Sequence, residues 1–358
     1  MNIDKKHWNT IVIGGGQAGL SAGYYLKKSN NDFLILDGSA RIGDSWRERW
    51  DSLKLFTPTP FNALPGWPYP GEDSLMQKDQ MADYLEQYAK KFSLPVRSGI
   101  RVTRLTKSFR GFFIESSRGS FTCDRVIVAT GTHQVPHIPE FSSQLDPEIV
   151  QLHSSDYRNP GTLPPGDVLV VGSATSGIEI ALEVSQSRRT MIAGKPSFII
   201  PAAFFRFGLR FYWWLINNLL TIKTPVGRKA MPNVIKGGAV IPQIVKKLEN
   251  ARVTRIPRVV GVRNYRPVLE DGRIVPVSTI IWCTGFRPDF SWIHINNITS
   301  ETGWPVTNRG ISSVVEGMYF VGIPFQFGLT SGLVGGVGRD AAYIVKHILK
   351  NSGVREIE

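Results

Sequence analysis

Thr10–Asp37, TIVIGGGQAGLSAGYYLKKSNNDFLILD, runs from an apolar strand through glycines into a helix, then out along a second apolar strand that ends in an acid. This is the pattern of one βαβ unit. Gly14, Gly16 and Gly19 stand in the G-x-G-x-x-G spacing, and each meets a separate need: a tight turn, close approach of a pyrophosphate to the backbone, and close packing of helix on strand. Gln17 and Ala18 open the helix, whose unpaired N–H groups and positive dipole end suit phosphate oxygens. Asp37 follows Gly19 by eighteen residues, the place where a carboxylate accepts hydrogen bonds from ribose hydroxyls. A strand before, a helix after and an acid at this distance distinguish the stretch from an ordinary glycine-rich turn. They predict dinucleotide binding.

The chain contains the unit twice. Asp167–Ala193, DVLVVGSATSGIEIALEVSQSRRTMIA, repeats strand, turn, helix and strand, with Gly172 and Gly177 matching Gly14 and Gly19 at an offset of 158. Ala174 replaces the middle glycine, and Thr175 and Ser176 begin the helix. The same offset sets Lys195 opposite Asp37, close in sequence to Arg188 and Arg189. An acid there suits a free ribose 2'-hydroxyl and repels a 2'-phosphate, whereas a lysine attracts the phosphate. Two different cofactors are therefore expected: FAD on the first unit and NADPH on the second, with NADH the alternative coenzyme. That pairing points to a flavoprotein oxidoreductase.

Length and composition agree with a soluble two-domain protein: 358 residues, 42% apolar and 20% charged. Cys123 and Cys283 are too far apart in sequence to make a C-x-x-C redox pair, a disulfide framework or a metal knuckle, so no metal is expected. The first residues, MNIDKKHWNT, lead almost at once into the first strand, which leaves no room for a signal peptide and predicts a cytoplasmic location. The formal charge of +13 is concentrated in residues 195–266, which hold fourteen Lys or Arg against the single acid Glu249. A solvated basic face, an anion-attracting field and a peripheral membrane contact are all open; a nucleic-acid partner is not expected, since no nucleic-acid module accompanies the charge.

After Asp37 comes a Pro-, Gly- and Trp-rich stretch containing Gly38, Gly43, Trp46, Leu55 and Thr57, read as loops lining the flavin, with Trp46, Trp50 and Trp67 as core aromatics the alternative. Gln77–Phe92 has helical periodicity. Residues 100–121, beginning near Val102, alternate in short runs like an antiparallel meander, and Val126–Gly131 is a buried strand whose end, Ala129, Thr130 and Gly131, passes the cofactor. The composition of Asn159–Gly166 reads as a domain boundary. Phe204–Leu220 holds twelve apolar residues in seventeen, yet Arg206 and Arg210 interrupt it and it is short for a bilayer span. An interfacial helix, a substrate-channel wall and a dimer face remain open for it. Ile281–Asp289 repeats the strand-then-TG signal, Gly317–Gly322 is another strand, and the glycine-rich stretch through Gly332 leads into a C-terminal helix whose dipole would favour a reduced flavin. The fold class expected is α/β with two Rossmann-like domains, the NAD(P)H-binding one (159–286) inserted in the FAD-binding one (1–158 and 287–358).

On GGGQAGL at 14–20, GDSWRERWDSLKLFTP at 43–58, ATG at 129–131, GSATSG at 172–177 and CTGFRPD at 283–289, the chain resembles the class B flavin-dependent monooxygenases, in particular the bacterial flavin-containing monooxygenase-like group. The likeness covers nearly the whole chain. Of the family fingerprint F-x-G-x-x-x-H-x-x-x-(Y/F), His153 and Tyr157 fit, while Pro147 and Ile149 occupy the Phe and Gly places; Asn62 is the nearest counterpart of an asparagine that some members hold over the flavin. The resemblance implies that NADPH reduces the flavin, that O2 adds to form a C4a-hydroperoxide, and that one oxygen atom passes to a sulfide or amine. The cofactor carries this chemistry, so no catalytic side chain is assigned. Baeyer-Villiger ketone oxidation, an NADPH oxidase releasing peroxide, and a redox-sensing flavoprotein beside a membrane transporter are the alternatives.

Overall fold

The computed structural model describes residues 7–69, 75–196, 198–200, 208–237 and 240–351. Uninterrupted apolar runs, with no polar alternation, make strands that must be covered on both faces. Phe33–Leu36, Val168–Val171, Thr190–Ala193 and Thr279–Trp282 are such strands, each buried throughout. They lie in two sheets whose parallel strands follow a matching order.

In the first sheet, β1 (His7–Ile13) pairs with β2 (Phe33–Leu36) on one side and with Gly119–Val128 on the other; Val96–Arg97 flanks β2, and Met318–Phe320 closes the far side. In the second, Val168–Val171 takes the place of β1, Thr190–Ala193 that of β2, Val253–Ile256 that of Val96–Arg97, and Thr279–Trp282 that of Gly119–Val128. The closing strands differ in origin. Met318–Phe320 returns from the C-terminal part of the chain, whereas Val150–His153, beside Thr279–Trp282, precedes its own unit. The boundary expected at 159 is therefore too late, because Val150–His153 already belongs to the second sheet. Asn159–Gly166 is packed turn and not linker: the Arg188 guanidinium donates to the Pro160, Leu163 and Pro164 carbonyls at 3.1, 2.7 and 2.8 Å.

Small residues bring α1 (Gln17–Lys28) onto the sheet. A Cβ on Gly23 would lie 2.7 Å from Ile35 Cδ1, and Asn30, in the left-handed region at φ 51°, turns the chain out toward β2. The expected helix at 77–92 runs from Lys78 to Lys91, with Gln77 and Gln80 closing a capping box and Met81, Leu85 and Tyr88 buried. The meander is Val102–Ser108, Gly111–Ser116 and the first half of Gly119–Val128, which continues without a break as a parallel partner of β1.

In the second unit, the helix Thr175–Val184 packs against Pro242–Glu249. Burial there pushes the Glu179 carboxyl up to about 7, with Lys247 opposing the shift less strongly. The folded protein thus binds the Glu179 proton more tightly than the unfolded chain, and the stability this confers at low pH is lost as pH rises through about 7. Thermal melts of wild type and Glu179→Gln from about pH 5 to about pH 8 should show the wild type losing ground to the variant as pH rises. Parallel curves would contradict this.

Candidate functional site

Both glycine turns are shaped by contact with the strand beside them. A Cβ on Gly14 would sit 2.4 Å from the Ala129 carbonyl oxygen, and one on Gly172 would sit 2.3 Å from that of Cys283, so the ATG and CTG segments press on their glycine loops in the same way. Both glycines have φ near the middle of the left-handed range, 110° and 111°. Gly19 and Gly177 are equally confined, each with a would-be Cβ 1.9 Å from the carbonyl oxygen of Gly14 or Gly172. Gly16 differs: a Cβ there would meet nothing within 4 Å. Open space over the middle position, with no side-chain cap at either helix start, leaves first-turn N–H groups facing a ligand. Residues 14–19 and 172–177 therefore fit a dinucleotide pyrophosphate. Ala174, with φ −81°, shows that the fold itself accepts a methyl group at this position.

Asp37 ends β2 and leans back over the first loop, where its two carboxylate oxygens accept from the Gly15 N–H and, at 2.7 Å, the Ser39 N–H. Lone pairs remain for ribose hydroxyls. Ile100 donates to the Asp37 carbonyl at 2.8 Å and Arg101 lies 3.7 Å from the Cβ position of Gly38, which brings the start of the Val102 strand to the same edge.

The second site departs from the expectation built on Lys195. Gly14 donates to the Leu36 carbonyl, whereas Gly172 donates to that of Ala193, so the path from helix to strand is one residue shorter in the second unit. The residue opposite Asp37 is Gly194, and Lys195 is the next one along, exposed. No carboxylate stands at the ribose position. Ser173 ties this edge together from the other side, donating to the Gly194 carbonyl at 3.0 Å. Arg188 and Arg189 are at the wrong end: they precede Thr190, the first residue of the strand, Arg188 holding the 160–164 turn and Arg189 lying 3.5 Å from Asp167. The second cation at the right end is Arg258, whose Cγ is 3.9 Å from the Cβ position of Gly194. It lies just past Val253–Ile256, where sequence reading assigned no role.

The two sheets are joined where their TG segments end. Val135–Pro136 pairs antiparallel with Phe286–Arg287, and Thr284 donates to the His137 carbonyl. Gln134 bridges Thr130 and Gly131, at 2.9 Å each, to the Asp289 N–H. The fingerprint residues brace this crossing. His153 Nε2 lies 3.0 Å from the Gly285 carbonyl and must donate to it, so Nδ1 is free to accept from the Ser155 N–H; burial keeps the ring below its usual pKa. The Tyr157 hydroxyl donates to Glu183 at 2.7 Å, fixing the segment to the helix Thr175–Val184.

The remaining expected cofactor residues divide. Gly43 is demanded by packing, its Cβ position being 2.5 Å from the Ala82 carbonyl oxygen, and Trp67 stacks on Tyr84 at 5.1 Å as a core aromatic. Leu55, Thr57 and Asn62 are buried, Asn62 donating to the Thr57 carbonyl at 2.7 Å; Trp46 is half-buried against the same core. Gly322 abuts the first turn of α1, 2.9 Å from Ala18 Cβ, while Gly332 faces open space. Residues 204–207 of the aromatic stretch lie outside those described. The rest forms the helix Leu209–Asn218, where Trp213 stacks on Phe61 at 5.1 Å and Leu220 accepts from the Leu329 N–H. The stretch thus walls the first domain beside residues 57–62 and 325–336. Phe211 and Trp214 remain exposed on its outer face, and no helix among the described residues is long and apolar enough to cross a membrane.

The family model described as "Pyridine nucleotide-disulphide oxidoreductase" matches residues 11–196. A CzcO-like oxidoreductase of Geobacillus kaustophilus is 37% identical over 347 residues, covering 96% of this chain and 99% of its own length. A probable indole-3-pyruvate monooxygenase of Arabidopsis thaliana, YUCCA3, is 25% identical over 82% of this chain and 77% of its own. Among solved structures, a flavin-containing monooxygenase from Stenotrophomonas maltophilia superposes with a TM-score of 0.79 at 27% identity, covering 97% of this chain and all of that one.

Two glycine substitutions separate folding from cofactor binding. Gly19→Ala should lower the melting temperature of the apoprotein, at a cost of about 3 kcal/mol or more, because helix and turn must part. Gly16→Ala should leave it within about 0.5 kcal/mol while weakening the bound dinucleotide. Equal melting temperatures for the two variants would contradict the geometry.

Proposed function

The chain belongs to the pyridine nucleotide-disulphide oxidoreductase family, and from that membership we propose that it is an FAD- and NADPH-dependent monooxygenase that passes one oxygen atom from O2 to a soft nucleophile such as a sulfide or amine. The observation that carries this reading is the pair of glycine cradles whose TG segments meet at one crossing. When bound, FAD and NADPH supply hydride transfer and oxygen activation. The protein's part is to hold two dinucleotides where the two TG segments meet and to exclude water. Asp37 takes the ribose of FAD, Gly16 admits its pyrophosphate, and the apolar wall formed by Trp213, Phe61 and Leu329 adds hydrophobic cover.

A thiol-disulfide activity does not suit this chain. Cys123 sits in the first sheet and Cys283 just past a strand of the second, both buried, and burial pushes each thiol up to about 12, far from the thiolate such chemistry needs.

Gly194 removes the acid that would repel a 2'-phosphate, and Lys195 and Arg258 flank it, so we read the second site as preferring NADPH to NADH. Lys195→Ala and Arg258→Ala should each lower the ratio of kcat/KM for NADPH over NADH, by roughly tenfold to a hundredfold for a fully formed charge-assisted contact and less if the side chain stays solvated. Arg189→Ala should leave the ratio unchanged. If only Arg189→Ala changes it, the assignment of the phosphate end is wrong.

Oxygen and NADPH consumption measured with a panel of sulfides, amines and ketones, with peroxide assayed alongside, tests the reaction itself. Substrate-dependent product at the expense of peroxide is the expected result. Peroxide accounting for all the oxygen consumed, whatever is added, would make the protein an oxidase instead.

A further inference from the structure

One arginine beside the crossing has no anion among the described residues. Arg49 follows the short helix Asp44–Arg47, and its guanidinium lies over the Phe286 ring, 5.5 Å from the centroid. Phe286 is itself in the crossing strand, with the rings of His133 and His153 set edge-on to it at 4.9 and 4.8 Å. The contrast with Arg47 is informative: Arg47 is saturated by Asp44, Asp83 and Glu86 at 3.2, 2.8 and 2.9 Å. Arg49 uses only its Nε, bonded to the Ser45 carbonyl at 3.3 Å, and no carboxylate among the described residues lies within ion-pair distance of it. The charged groups nearest in influence are Glu48, exposed, and Arg158, a like charge, and with burial the leading cause its pKa is depressed. His153 is committed to Gly285 and Ser155. His133 is exposed, and desolvation, with the Arg49 charge next, lowers its pKa.

A half-buried cation without a counter-ion is unfavourable unless an anion arrives. We propose that Arg49, with the Phe286 ring and the His133 imidazole beside it, binds the carboxylate of an organic acid substrate at the crossing. This rests on the monooxygenase reading and narrows its substrate class to acids that also carry the soft nucleophile. The coenzyme phosphates have other partners, at 172–177 and around Gly194, so Arg49 is not needed for them. A planar fork matches a carboxylate bidentately, and a flat ring at its side suits an apolar or aromatic body.

The test uses the FAD-loaded protein and a matched pair, (phenylthio)acetic acid and its primary amide. Calorimetric binding without NADPH, and kcat/KM for sulfoxidation with it, are measured on wild type, Arg49→Gln and Arg49→Lys. Arg49→Gln should weaken the acid at least tenfold and the amide less than twofold, Arg49→Lys should recover part of the loss, and acid binding by wild type should weaken with salt. Equal effects on acid and amide, or none on either, would overturn the proposal. So would a raised KM for NADPH with no discrimination between the pair, which would make coenzyme phosphate the partner. If the acid binds through Arg49 but neither compound is oxygenated, the monooxygenase reading fails and the carboxylate site stands. If Arg49→Gln does not fold, the Arg49→Lys comparison and the salt dependence decide.

Discussion

The contact of a glycine turn with the carbonyl of the neighbouring strand is the constraint on which the rest of the structure depends. At Gly14 against Ala129, and again at Gly172 against Cys283, the approach leaves no room for a Cβ. The turn is therefore tight enough to set the next helix with its N-terminus at the sheet edge, and Gly19 or Gly177 lets that helix settle onto the turn. The neighbouring strand, in passing this point, must leave the sheet at Gly131 or Gly285, both in left-handed backbone. Those two departures are the crossing between the sheets. One packing requirement, met twice, thus forms both cradles and the passage that joins them.

What differs between the cradles determines what each can hold. Asp37 closes the first with a carboxylate folded over the loop, suited to hydroxyls; Gly194 closes the second with no side chain, and cations stand beyond it. The strut runs in opposite senses, from strand end to loop at Asp37 and from loop to strand end at Ser173. The two units share the frame and differ at the ribose end.

Most of this frame was legible in the sequence because it is local. Glycine spacing, apolar runs and the acid after Gly19 all lie within one βαβ unit, and the periodicity of Gln77–Phe92 lies within one helix. Features set by distant contacts were not legible. Val150–His153 is a short strand, VQLH, whose register comes from Thr279–Trp282 far along the chain. Lys195 was set opposite Asp37 by a constant offset, but a connection shortened by one residue moves every later position, and only the hydrogen bond from Gly172 to Ala193 reveals it. Arg258 carries no motif, and the motif at 43–58 does not single out Arg49; Arg258 gains significance from the register of Val253–Ile256, and Arg49 from a ring in the crossing strand. The packing demand on Gly43 was not legible either, since its neighbour Ala82 comes from a helix that the loop sequence does not mention.

The central claim is that two dinucleotides, held by the two cradles, meet in electronic contact at the crossing. An anaerobic titration of the FAD-loaded protein with NADPH tests this most directly. The visible flavin absorbance should bleach with one equivalent of NADPH per bound FAD and return on admission of O2. A flavin that stays oxidised in the presence of excess NADPH, while NADPH binding is still detected calorimetrically, would contradict the claim.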